Sequence, residues 1–376
     1  MEADRNELRA WALLLRIPGA TRQRVALALA SVASVTELVR VSGRSLEQLG
    51  FPEHARSALS SADRATLDAD LEWLQAPDRH LLPLTSPHYP PLLAATPDAP
   101  PALYVRGSLE VLGTPQLAIV GSRHPTSGGR DTAFRFAAHL ARCGLAITSG
   151  LAEGIDAASH RGALAAGGAT IAVCGTGLGL VYPQRHAELA DEIAGRGALV
   201  SEFAPRTPPR REHFPRRNRI ISALSLGTLV VEAARQSGSL ITARYASEQG
   251  REVFAIPGSI HNPLSRGCHR LIREGAKLVE TADDILTELR IPLAAAVAAP
   301  VTPDPQAHAR DGDRLDKEYE ILLDALGFDA LGVDALVERS GLKPDAVASM
   351  LLLLELRGLV EVRPGGRYCR SPQAVQ

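Results

Sequence analysis

The sequence LAIVGSR at residues 117–123 is an apolar run that ends in Gly121, Ser122 and Arg123. The run has the composition of a buried β-strand, and a helical pattern starts a few residues after it. Small residues at the end of a strand allow backbone N–H groups to face an anion, and the guanidinium of Arg123 adds a planar positive charge. The stretch therefore predicts an anion-binding strand end.

The same pattern of an apolar strand followed by small residues recurs three times downstream. These strand ends lie at Ser149-Gly150, at residues 175–177, and at Glu232 with residues 237–239. Strands are predicted at 116–120, 145–148, 170–174, 198–201, 228–232 and 252–256, with helices at 128–142, 155–167, 185–196, 215–225 and 239–250. This alternation predicts a doubly wound parallel α/β sheet, whose strand ends open on one edge. Several such loops favour a polyphosphate chain or a nucleic-acid backbone over a single phosphate.

The chain divides into four predicted parts. They are a helical N-terminal domain (1–75), the α/β domain (76–290), an Ala/Pro/Asp-rich linker (291–314) and a C-terminal winged helix (315–376). The stretch 12–30 resembles a helix–hairpin–helix with Thr21 as a cap candidate, but it lacks the second glycine of that module, so we favour a packing role. The tail is predicted as helices at 315–326, 333–340 and 344–357 and a hairpin at 359–371. Its third helix carries little positive charge besides Arg357, which favours a protein contact or a regulatory role over the reading of duplex sequence.

The net charge of −1 hides an uneven distribution. Residues 116–280 contain 20 Lys and Arg against 13 Asp and Glu, a net charge of +7, which points to an anionic partner for this segment. Six arginines lie between residues 206 and 219 with Glu212 as the only acid, and Phe214 lies among them. Basic groups beside an aromatic ring are typical of single-stranded nucleic-acid binding. The alternative is that the arginines form surface ion pairs and Phe214 packs at a helix start.

Several function classes lack their sequence signatures. The chain has no P-loop, no H-E-x-x-H and no G-x-S-x-G motif, and the acid that a dinucleotide site requires is absent. The four cysteines are scattered without metal-site spacing, so we expect no metal site, no cofactor and no catalytic residues. No apolar run reaches the length of about 18 residues that a membrane span needs, and no secretory signal is visible. We expect a cytoplasmic protein.

Longer motifs together resemble the DNA-processing protein A (DprA, or Smf) family. Besides GSR at 121–123, they are SGLAEGID (149–156), ASHRGAL (158–164), TIAVCGTGLGLVYP (170–183), HFPRRNRII (213–221), VEAARQSGSLITA (231–243) and EQGREVFAIPGSIHNPLSRGCHRLIREGAK (248–277). The resemblance implies an extended Rossmann-like fold that binds single-stranded DNA. It also implies a homodimer that protects incoming DNA and loads the RecA recombinase in natural transformation.

The resemblance also implies roles for individual residues. Arg211 takes the basic position before the stacking aromatic, where the family commonly has lysine, and Phe214 is that aromatic. Gly179 stands where the family often has aspartate. Phosphate contacts fall on Gly121, Ser122, Arg123, Ser149, Gly150 and Gly154, and Arg217, Asn218 and Arg219 extend the basic loop.

Self-association is expected in the segment 258–276, because the family resemblance places it there. The apolar residues of this segment are Ile260, Leu264, Leu271 and Ile272. The alternative is that these side chains only close the edge of the sheet.

Two groups of titratable residues leave a catalytic alternative open. Asp156 and His160 lie four residues apart on one helix and could form an acid–base pair, although we favour a capping and packing role for Asp156. Glu232 at a strand end resembles the carboxylate of the cytokinin-activating phosphoribohydrolases, which cleave nucleoside monophosphates. Their P-G-G-x-G-T loop is replaced here by QSGSL at 236–240, which favours a binding protein and leaves the hydrolase as the alternative.

Overall fold

A computed structural model describes residues 2–17, 19–61, 64–260, 262–290, 317–326 and 330–371. The chain forms two compact units, Met1–Ala299 and Pro300–Gln376. The predicted linker at 291–314 lies outside the described residues. No helix in the described ranges is both long enough and apolar enough to cross a membrane.

The N-terminal part of the first unit is helical, as its sequence predicts. Its helices are α1 (Glu2–Leu14), α2 (Arg22–Ser31), α3 (Val35–Leu38), α4 (Gly43–Gln48), α5 (Ala55–Ser61) and α6 (Arg64–Trp73). The hydroxyl of Thr21 accepts a hydrogen bond from the N–H of Arg24 and so caps α2, which confirms its predicted role. Trp11 and Leu14 share one buried apolar cluster with Tyr104 and Leu178 of the α/β part. The helices therefore pack directly on the sheet.

Nine strands of the described chain form the central sheet. They are β1 (Arg79–Pro83), β2 (Ala102–Gly107), β3 (Gln116–Val120), β4 (Ala146–Ser149), β5 (Thr170–Val173), β6 (Ala198–Ser201), β7 (Gly227–Val230), β8 (Glu252–Ala255) and β9 (Lys277–Leu278). Their order is β1-β2-β6-β5-β4-β3-β7-β8-β9. The seven neighbouring strands β6-β5-β4-β3-β7-β8-β9 are parallel. At the other edge of the sheet, β2 pairs antiparallel with β6, and β1 pairs antiparallel with β2.

Helices cover both faces of the sheet, which confirms the predicted doubly wound fold. The helices are α7 (Pro91–Ala94), α8 (Ser127–Arg142), α9 (Ile155–Ala165), α10 (Ala187–Arg196), α11 (His213–Leu224), α12 (Ser239–Glu248), α13 (Arg266–Arg273) and α14 (Ala282–Glu288). Alternate residues of β3 serve the two faces: Leu117 and Ile119 pack with α8, α9 and α14, whereas Ala118 and Val120 pack with α11, α12 and α13. This alternation is the period of a β-strand buried on both sides.

The strand order reverses at β3, which pairs with β4 on one side and with β7 on the other. The chain leaves β3 for α8 on one face of the sheet and leaves β7 for α12 on the opposite face. The two loops diverge and leave a crevice beyond the carboxyl ends of the strands. Open α/β sheets bind ligands at such a reversal.

The second unit has the element order of a winged helix, as predicted. Its elements are α15 (Lys317–Leu326), β10 (Leu331–Gly332), α16 (Val333–Ser340), α17 (Pro344–Leu356), β11 (Val360–Arg363) and β12 (Arg367–Arg370). The strands form a small antiparallel sheet in the order β10-β12-β11. Leu322, Leu336 and Leu351 belong to its separate buried core. The outer side of α17 leaves Leu352 and Leu356 exposed.

Candidate nucleic-acid interface

A cleft of about 730 Å³ lies at the reversal of strand order. Loops that follow β3, β4, β5, β6 and β7 all contribute to its walls, so the strand ends open on one edge as predicted. The cleft brings together seven of the predicted DNA-binding residues, namely Gly121, Ser122, Arg123, Arg211, Phe214, Arg217 and Asn218. The other four, Ser149, Gly150, Gly154 and Arg219, do not line it.

Two backbone amides of the loop after β3 have partners within the protein, and its arginine side chain is exposed. The N–H of Ser122 donates to the carbonyl of Glu232 at 2.7 Å, which ties this loop to the one after β7. The hydroxyl of Ser122 in turn accepts from the N–H of His124. Arg123 is exposed, and its guanidinium lies 5.8 Å from the centre of the Phe214 ring. The available charge of this loop is therefore the side chain of Arg123.

The loop after β4 differs from the expected phosphate cradle. The N–H groups of Gly150 and Ala152 both donate to the carboxylate of Asp156, so one of the chain's own acids occupies the amides. Ser149 is fully buried, and its hydroxyl donates to the carbonyl of Ile119. Gly154, which has a φ of 78°, packs against the backbone of the β3 loop. These three residues, Ser149, Gly150 and Gly154, lie beneath the floor of the cleft and do not line it.

Arg217 is a buried charge at the floor of the cleft. It is 4% exposed, and its guanidinium donates to the carbonyls of Gly150 and Val173. A side chain at Gly150 would collide with that guanidinium, since an added Cβ would lie 2.6 Å from its nitrogens. Burial lowers the pKa of Arg217, and the nearby carboxylate of Asp156 opposes this shift. Arg217 and Asp156 thus form a buried pair of opposite charges at the floor of the cleft.

The arginine-rich segment 206–219 is less uniform than its sequence indicates. Glu202, which follows β6, pairs with Arg216 at 2.6 Å and with Arg219 at 2.7 Å. Arg219 is buried and also donates to the carbonyl of Asp98, so its position is that of a structural ion pair. The ion-pair alternative therefore holds for these two arginines. Arg211 remains exposed at the rim of the cleft.

Two aromatic rings lie side by side in the cleft. The rings of Phe214 and Tyr182 are 5.5 Å apart between centroids and tilted by 45°. Phe214 is half-buried and packs on Gly175, where an added Cβ would lie 2.9 Å from the ring. Tyr182, at the end of the loop after β5, was not among the predicted site residues. The sequence signal that could have indicated Tyr182 is its place in GTGLGLVYP (175–183), the segment that follows the strand end at Gly175.

The opposite wall is the start of α12. Gln236, Ser237, Gly238 and Ser239 line the cleft there, and the amide of Asn218 donates to the carbonyl of Gly238 at 3.3 Å. The N-terminal end of a helix carries a partial positive charge, so this wall also favours an anion. Hydroxyl and amide side chains thus belong to the lining of the cleft together with the two rings.

The candidate catalytic groups have structural partners. The carboxylate of Glu232 accepts the N–H and the hydroxyl of Thr126 at 2.9 and 2.6 Å, and it does not line the cleft. His160 is fully buried and bonds through Nδ1 to the hydroxyl of Thr170 at 2.7 Å, away from Asp156. The acid–base pair considered for Asp156 and His160 is therefore wrong, and the structural role favoured for Asp156 is confirmed by its bonds to the loop amides.

The four residues expected at a dimer interface differ in exposure. Ile260 is 74% exposed, whereas Leu264 is partly buried. Leu271 and Ile272 are also partly buried and pack against the core beneath α13. Leu278 on the edge strand β9 is 49% exposed and was not among the predicted residues.

Comparison with known proteins agrees with this architecture. The family of DNA recombination-mediator protein A matches residues 80–290, and the DprA winged helix domain matches residues 300–366. Protein Smf of Escherichia coli is 45% identical over 330 residues, which are 88% of this chain and 87% of that protein. DNA processing protein DprA of Streptococcus pneumoniae is 48% identical over 200 residues, which are 53% of this chain and 71% of that protein.

Two solved structures extend the comparison. The X-ray structure of DprA from Streptococcus pneumoniae matches with a TM-score of 0.66 and 38% identity, covering 74% of this chain and 97% of that one. DNA processing protein A from Helicobacter pylori, a structure described for its single-stranded DNA binding mode, matches with a TM-score of 0.50 and 30% identity. That match covers 54% of this chain and 92% of the other. The chain therefore belongs to the DprA/Smf family of DNA recombination-mediator proteins.

Proposed function

We propose that this protein binds single-stranded DNA in the cleft at the strand reversal and delivers that DNA to the RecA recombinase. The observation that carries the proposal is the meeting of exposed Arg123 and Arg211 with the rings of Phe214 and Tyr182 in one cleft. Cations that follow a phosphate backbone, next to rings on which bases stack, are the features that single-strand binding requires. The DNA-binding relative from Helicobacter pylori supports the same function.

The geometry favours single strands over duplex. The two rings lie inside a cleft, where only an unpaired base can reach them, because the bases of a duplex are stacked within the helix. The walls otherwise offer backbone-directed charge and small polar groups, which gives little discrimination between base sequences. We expect binding to protect incoming DNA.

Delivery to RecA and a place in natural transformation rest on family membership. The test is RecA-catalysed strand exchange on DNA that has first been coated with single-strand-binding protein. We expect the protein to stimulate exchange, and we expect an Arg123→Ala, Arg211→Ala double variant to stimulate it less. Equal stimulation by the double variant would show that the cleft is not the site that holds the DNA.

The second candidate function is nucleoside monophosphate hydrolysis at Glu232. We propose that the protein has no such activity, because Thr126 takes up the carboxylate of Glu232 and that carboxylate stands outside the cleft. Incubation with nucleoside monophosphates should release no free base. If the wild type releases free base and a folded Glu232→Gln variant does not, the protein is a hydrolase that uses Glu232.

We also propose that the protein acts as a homodimer through the sheet edge that carries β9. Ile260 and Leu278 are exposed apolar side chains of this region, and an edge strand offers unpaired backbone groups to a second chain. Leu271 and Ile272 support this surface from beneath, since both pack on the core of their own chain.

A further inference from the structure

We propose that Tyr182 is a base-stacking residue of the cleft, in addition to Phe214. This inference rests on the proposed single-strand binding and assigns it a second aromatic contact. Tyr182 is 50% exposed and lines the cleft, and Phe214 is less exposed. An exposed ring in a cleft lined by cations is available to a base, since every base has a face that can stack.

The ring of Phe214 is partly covered by its neighbours. Phe214 lies close to the backbone at Gly175, and the guanidinium of Arg123 lies 5.8 Å from its centroid. Tyr182 adjoins the same ring at 5.5 Å with a tilt of 45°. Phe214 therefore has neighbours on several sides. Tyr182 is the more exposed of the two neighbouring aromatic residues.

The loop that carries Tyr182 is held in place by backbone hydrogen bonds. The N–H of Gly177 donates to the carbonyl of Thr207 at 3.0 Å, and the N–H of Gly179 donates to the carbonyl of Pro205 at 2.8 Å. These bonds tie the loop after β5 to the segment that leads into α11, the helix of Phe214. A ring whose position is fixed before binding loses less conformational freedom when a base stacks on it.

The test measures the affinity of full-length variants for a labelled oligodeoxythymidylate. Tyr182→Ala should weaken binding by about 5- to 150-fold, the effect of losing one stacked base. Tyr182→Phe should bind nearly as well as the wild type, because the ring is kept. Leu180→Ala is the matched control, since Leu180 is exposed on the same loop and lies outside the cleft lining.

A second arm separates stacking from a merely structural role. On an abasic strand of the same length, which keeps the phosphates and lacks the bases, Tyr182→Ala and the wild type should bind equally. A loss of affinity on both strands, or no loss on either, would overturn the assignment of Tyr182. Failure of the wild type to bind the oligodeoxythymidylate at all would instead overturn the proposed function.

Discussion

Several polar groups around the cleft already bond to carboxylates of the protein itself. Asp156 takes up the amides of the loop after β4, and Glu202 takes up two of the arginines that lie before and within α11. Both partners are carboxylates of this chain. The groups of the described cleft that stay available to a ligand are chiefly the side chains of Arg123 and Arg211 and the rings of Phe214 and Tyr182.

Arg123 and Phe214 should affect binding in different ways. Arg123→Ala should weaken single-strand binding and reduce the magnitude of the slope of log affinity against log salt by about 0.7, the loss of one phosphate contact. Phe214→Ala should cost about 1–3 kcal/mol and leave the salt slope nearly unchanged, because a stacked ring releases no counterion. Salt titrations of both variants give the comparison. A flattened slope for Phe214→Ala would contradict the stacking role.

Glu232 should matter for stability rather than for chemistry. Its carboxylate, 7% exposed, accepts both the N–H and the hydroxyl of Thr126 at the start of α8. Glu232→Gln sets an N–H group against one of these donors and should lower the free energy of unfolding by about 1–3 kcal/mol. Thr126→Ser keeps both donors and serves as the control. Urea unfolding measures the change, and unchanged stability of Glu232→Gln would show that these bonds contribute little.

Among the helices and strands, α9 carries a buried histidine that makes stability depend on pH. Burial lowers the pKa of His160 to about 3, and electrostatic interactions with His186, Arg217 and Arg161 add to the shift. The unfolded chain takes up a proton below pH ~6.5, whereas the folded chain does so only near the lowered value. The stability contributed by the neutral ring is therefore complete above pH ~6.5, and it is lost as the pH falls from there toward the folded-state pKa of about 3.

Unfolding experiments at two pH values test this dependence. Between pH 7 and pH 5 the wild type should lose about 2 kcal/mol more unfolding free energy than His160→Gln, which cannot titrate. The comparison cancels the contributions of other groups. Parallel losses in the two proteins would show that His160 is protonated in the folded state.

Most elements could be predicted because their signals are local. The strand LAIV at 117–120 is apolar throughout, and Thr21 and the glycines near residue 365 mark a helix start and a turn. The cleft could be predicted only in part. The acid that pairs with Arg219 comes from the end of β6, outside the basic window, and the amides at Gly150 looked free because Asp156 lies on the following helix. Tyr182 is brought to Phe214 only by the folded sheet edge.

In the molecule as a whole, self-association should depend on the β9 edge. Leu278→Arg places a charge on an exposed apolar position of that edge and should give monomers in sedimentation at micromolar concentration. Leu271→Arg is a poorer test, because Leu271 packs on its own core. Leu27→Arg on α2, an exposed leucine in the N-terminal helices, should leave the dimer intact. Monomeric wild type under these conditions would refute the dimer.

The binding of single-stranded DNA in the cleft is tested most directly by one titration. The affinities of the full-length protein for a single strand and for the matching duplex are measured over a range of salt concentrations. We expect tighter binding to the single strand at every salt concentration, with affinity that falls by a slope of roughly 0.7 for each phosphate contact. Equal affinity for single strand and duplex, or affinity that does not respond to salt, would contradict the account.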